Sequence, residues 1–123
     1  MTWTVAMTSD GHRNVSVLVK GQLEGTSDNP VELINVKGMT PEPRGLKLTG
    51  AWWLIEEKAG IQLWWGKEAI PHQTLIVPLE SRNAFKLEDG LSSPKGWDGI
   101  IYMTYANAPT PRLFTLILDF DKL

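Results

Sequence analysis

Apolar and polar residues alternate in short runs along most of the chain, and the runs are separated by turn-forming residues. Trp3, Val5 and Met7 alternate with Thr2, Thr4, Ala6 and Thr8. Such a period of two predicts a strand with one buried face. Ser9-Asp10-Gly11-His12 follows as a turn, because Asp-Gly tolerates the required backbone angles. Arg13 to Lys20 then predicts a second strand, with Val15, Val17 and Val19 inward. Gly21 to Pro30 reads as a loop, Val31 to Val36 as a short strand, and Gly38 to Gly45 as irregular chain, since Pro41 and Pro43 cannot donate to a ladder. Leu46 to Gly66 carries two apolar runs, each with a Trp-Trp pair, around the polar break Glu56-Glu57-Lys58-Ala59-Gly60. This pattern predicts a hairpin. Parity places Leu46, Leu48, Trp52 and Leu54 on one face of its first strand, and Ile61, Leu63 and Trp65 on one face of its second.

Beyond the tryptophan-rich segment, Lys67 to His72 reads as a connector and Gln73 to Val77 as a strand ending at Pro78. Leu79 to Leu91 has no clear period. Ser92 to Gly99 is a loop carrying Trp97, Ile100 to Tyr105 a strand, Asn107 to Pro111 a turn, and Arg112 to Phe120 a closing strand with Phe114, Leu116, Leu118 and Phe120 on one face. No stretch shows a helical period. Eight or nine short strands with frequent turn signals predict a single all-β domain over residues 1–123, an antiparallel β-sandwich of jelly-roll or immunoglobulin-like type. Val15, Val17, Leu48, Trp52, Leu63, Leu116 and Leu118 are its expected core.

Composition narrows the functional classes. With 123 residues the chain can build one real core, and with no cysteine it has neither disulfides nor thiolate chemistry. A net charge of −2 gives no basic stripe for nucleic acid. No apolar run is long enough to span a membrane, and Met1-Thr2-Trp3-Thr4 does not open a secretion signal. His12 and His72 stand alone after turn residues, without metal-ligand spacing. Asp119 and Asp121 share a strand face and could hold a hard cation, but such a pair more often solvates an edge. No nucleophile elbow or phosphate loop occurs, and the sequon Asn14-Val15-Ser16 lies within a predicted strand. The expectation is therefore no catalytic, cofactor or metal site, no nucleic acid and no membrane.

Six tryptophans are the feature left over. Trp53 and Trp64 have the parity opposite to the expected core face, as do Ile55, Ile101 and Tyr105. Placed outward, these five residues form a patch larger than monomers expose, and so predict a contact between copies, a homo-oligomer. An exposed tryptophan pair would equally suit stacking on carbohydrate. The plainer alternative is that both faces of the segment are buried, one in the core and one under loops.

Asp10-Gly11-x-Arg13-Asn14-Val15, opening a valine-rich strand, resembles the D-G-x-R-N-V opening of a group of small tailed-phage virion proteins. Thr40-Pro41 before Leu46-Lys47-Leu48, then Ala51-Trp52-Trp53, then Gln62-Leu63-Trp64-Trp65-Gly66, and the closing Phe114-Thr115-Leu116-Ile117-Leu118 are similar to the later strands of that group. Gly66, where an Asp is the pattern, and the doubled tryptophans depart from it. The resemblance implies a non-enzymatic structural protein of the virion, assembled in the cytoplasm of the bacterial host. It further implies a capsid decoration or cement protein that binds the major capsid protein, with a trimer favoured because such proteins sit at three-fold positions. A head–tail connector or tail protein, and a carbohydrate-binding module, are the alternatives.

Overall fold

The most regular alternation, around the valines of the second strand and the phenylalanines and leucines of the last, builds the spine of the molecule. The computed structural model describes residues 2–56, 59–66, 75–80 and 82–123. Its strands are β1 (Thr2–Asp10), β2 (Asn14–Asn35), β3 (Leu46–Ile55), β4 (Gly60–Trp64), β5 (Leu75–Glu80), β6 (Arg82–Ser92) and β7 (Ile100–Lys122). A 3-10 turn, Val36–Gly38, follows β2. β2 and β7 are 22 and 23 residues long and pair antiparallel from Asn14↔Asp121 to Asn35↔Ile100.

These two strands bend together and so serve two layers. The first half of β2 and the second half of β7 lie in the order β1-β2-β7-β3-β6. The other halves continue into a second layer, where β7 pairs β4 and β4 pairs β5. Counted by layer the sheet presents five strands and four, all antiparallel. The protein is all-β and sandwich-like. The breaks expected at Gly21 to Pro30 and Asn107 to Pro111 do not end strands; they are the bend. Register shifts fall between Leu23 and Gly25, Gly25 and Ser27, and Ser27 and Val31. Gly25 has φ of 79°, open to a residue without a Cβ. Bulges of this kind bend and twist a strand without releasing it from its partner.

One apolar core lies between the layers. Val15, Val17 and Val19 enter it from β2, and Phe114, Leu116, Leu118 and Phe120 from β7. Ile61, Leu63, Leu79, Ile101 and Met103 enter from the second layer. The expected core is found except for Trp52, which is only half-buried.

The structure corrects two expectations for the tryptophan-rich segment. β3 and β4 do not form a hairpin, because β3 pairs β6 and β7 while β4 pairs β5 and β7. The polar break, of which Glu57 and Lys58 lie outside the described residues, passes the chain from one layer to the other. Parity also fails to hold along β3. A register shift between Leu48 and Gly50 occurs against both neighbours, so one extra residue flips every later side chain to the opposite face. Leu46 and Leu48 are inward before it, and Ala51, Trp53 and Ile55 after it. Gly50 suits the spot because a Cβ there would stand 3.3 Å from the Phe85 carbonyl oxygen. Thr49, at the shift, donates its hydroxyl to the carbonyl of Asp119 at 3.2 Å.

Candidate functional site

The five residues expected at an interface, Trp53, Ile55, Trp64, Ile101 and Tyr105, are all buried within a single chain. Trp53 is 6% exposed and meets Phe85 edge-on, with ring centroids 5.7 Å apart. Ile55, Ile101 and Tyr105 belong to the central core, and burial raises the Tyr105 hydroxyl above its usual pKa. Trp64 is buried outside that core, on the other face of the second layer. The indole N–H of Trp64 donates to Thr104 Oγ1 at 2.9 Å. Its cross-strand neighbour Tyr102 is buried too and donates its hydroxyl to Asp98 Oδ2 at 2.8 Å. Burial first, and then Asp98, push the Tyr102 hydroxyl up to about 12, so it stays protonated and cannot serve as a base near neutral pH. For Trp64, the plainer alternative of burial on both faces is the one found. Trp65 packs edge-on against Trp97 at 5.2 Å, and Trp97 donates its N–H to the Ile100 carbonyl.

The polar residues singled out by sequence are brought together only in part. Asp10, ending β1, accepts from Lys122 Nζ at 2.5 Å and from the Thr40 amide at 2.7 Å. The buried Lys122 ammonium also donates to the Pro41 carbonyl at 3.0 Å, and the Lys122 amide donates to the Arg13 carbonyl at 2.7 Å. The turn is closed by the Gly11 amide donating to the Asn14 carbonyl at 2.8 Å. The Asp-Gly turn, the Thr40-Pro41 loop and the end of β7 are thus tied at one point. Lys122, with the Thr40 amide, holds the Asp10 carboxyl below its ordinary pKa.

A depressed carboxylate stabilises the fold above its unfolded-state pKa, and that contribution is lost as pH falls through the lower folded value. Stability should therefore decline on acidification below the ordinary carboxylate range. Asp10→Asn should lower stability at neutral pH and flatten that acid limb, as read by denaturant midpoints from neutral pH down to acid. A wild-type-like acid limb in the variant would assign the effect to other carboxylates.

Asp119 is exposed and accepts from Ser16 Oγ at 2.6 Å, while Asp121 is half-buried and His12 exposed. His72 lies outside the described residues. Among the described residues no group of three or more His, Asp or Glu side chains is placed to hold a metal ion.

A surface that the sequence reading did not single out lies on the open face of the five-stranded layer. Pairing sets Ala6 beside Leu18, Leu18 beside Ile117, Ile117 beside Trp52 and Trp52 beside Ala84. One apolar row therefore crosses all five strands on the face away from the core. Ile117 is 36% exposed, and Leu54 and Leu113, further along the same face, are 45% and 55% exposed. The signal was present as apolar residues interrupting the alternation, Leu18 between Val17 and Val19 and Ile117 between Leu116 and Leu118. Their alignment depends on a strand order that the chain does not reveal in sequence.

Compared with known proteins, the chain matches no family model, no curated protein and no solved structure.

Proposed function

We propose that the chain is a non-enzymatic structural protein of a tailed-phage virion, a head decoration protein that acts as a homo-oligomer on the capsid shell. The observation that carries this reading is the use made of its Asp10-Gly11-x-Arg13-Asn14-Val15 segment. Asp10, Gly11 and Arg13 are engaged through side chain or backbone in closing the turn and fastening it to Thr40 and Lys122. A motif that maintains architecture fits a shell component, whose task is to persist and to dock. The exposed apolar row adds a face for protein contact, and docking at many sites lets individually weak contacts hold a particle.

The test is proteomics of gradient-purified particles, with heads and tails separated and copy number measured against the major capsid protein. Recovery with heads in many copies per particle is expected. Recovery with tails or at ring stoichiometry would make the protein a connector or tail component. Absence from particles, with the protein abundant in the lysate, would overturn the virion reading.

A further inference from the structure

The open face of the five-stranded layer combines an apolar row with Lys20 on one side of it and Asp119 on the other, where Lys86 lies across Gly50 from Asp119. On one side Lys20 pairs in register with Thr115; on the other Ser16 pairs with Asp119. We propose that this face binds a second copy of itself about a two-fold axis running along the apolar row. The inference rests on the sheet face alone, independently of the virion reading.

Rotation about such an axis keeps each strand over its own counterpart and exchanges the two sides of the row. Leu18, Ile117 and Trp52 then meet their own copies, closing an apolar seam. Lys20 arrives over Ser16 of the other copy. There the Asp119 carboxylate has already been drawn toward β2 by the Ser16 hydroxyl, at 2.6 Å. One strand spacing of ~4.8 Å separates the β2 and β7 columns, within reach of a lysine side chain. The symmetry makes this contact twice. Lys86, exposed on the edge strand β6, lies on the Asp119 side of the row, across Gly50 from that carboxylate, which therefore stands between Lys86 and the arriving Lys20.

Size agrees with this occupant. Five strands spaced by ~4.8 Å and about nine residues long at ~3.3 Å each give a face of about 700 Å², close to the ~800 Å² per partner of an ordinary specific interface. Two sheets stacked this way run nearly antiparallel, an arrangement compatible with the aligned packing of sandwich layers. A two-fold contact is also closed, so it leaves no sticky face for filament growth.

Light scattering coupled to size exclusion, over a wide range of concentration, should show a concentration-dependent dimer mass. Ile117→Lys puts two ammonium groups opposite each other on the axis and should weaken the dimer about 100-fold or more. Lys20→Glu and Asp119→Lys should each weaken it, and the double variant should recover it, because the pair is exchanged rather than lost. Circular dichroism and melting curves establish that each variant is folded, as expected for exposed positions. A monomer at every concentration overturns the proposal, as does an oligomer indifferent to Ile117→Lys. Failure of the folded double variant to recover association overturns the two-fold arrangement. A monomer whose Trp52 emission responds to a glycan panel would assign the face to carbohydrate and overturn it as well.

Discussion

Trp53→Ala should destabilise the protein by about 3–5 kcal/mol, whereas Trp52→Ser should cost about 1 kcal/mol or less. The two residues are neighbours with the same side chain and therefore face opposite sides of β3, and the register shift before Gly50 decides which of them is inward. Trp53 is buried, sits beside Leu116 across the sheet and meets Phe85 edge-on. Its removal would leave a cavity framed by three strands that cannot collapse without breaking their ladders. In the monomer, to which this comparison applies, Trp52 is half-buried on the open face, and a serine there is solvated. Urea titrations with unchanged slopes would measure the difference. Equal costs, or the larger cost at Trp52, would mean that β3 runs without the register shift, and the assignment of its faces would fall.

Leu116→Ala should cost about 2–5 kcal/mol, the range for deleting a fully buried leucine. Leu116 has no exposed surface and lies in register between Val19 on β2 and Trp53 on β3. β7 is held on both sides here, so its backbone cannot shift to fill the space. The neighbouring change Ile117→Ala should stay within about 0.5 kcal/mol for a monomer, as at other exposed sites. Paired denaturation curves test both. A Leu116→Ala variant as stable as wild type would remove the central core as described.

Where a strand keeps one register, its alternation could be read directly. Val15, Val17 and Val19, and Phe114 through Phe120, face inward as their spacing requires. Alternation misled at β3 because a single inserted position reverses all that follows, and the only local sign was Gly50 inside an apolar strand. The turn-rich residues from Gly21 to Pro30 were legible as a change of direction but not as a paired one. Whether such a segment leaves the sheet depends on whether its partner bends with it. The tryptophan-rich segment read as a hairpin because a short polar break most often joins paired strands. Here the two runs belong to different layers, and β7 is the partner of both. The open face was least legible, since Leu18, Ile117 and Trp52 become neighbours only through the order β1-β2-β7-β3-β6.

The long β2–β7 pair also governs when the molecule can form. Its contacts join positions as far apart as Ser16 and Asp119, 103 residues distant along the chain. During synthesis, β2 emerges early and then waits for β7, while β3 and β4 have β7 as a shared partner and wait with it. The closure of so long a loop carries its full entropic cost before any core contact repays it, so folding belongs to the slow, topology-limited regime. Throughout that interval the valine- and tryptophan-rich strands β2, β3 and β4 lack the neighbour that β7 supplies, and it is then, rather than in the finished fold, that these open edges are exposed to aggregation and to capture by chaperones.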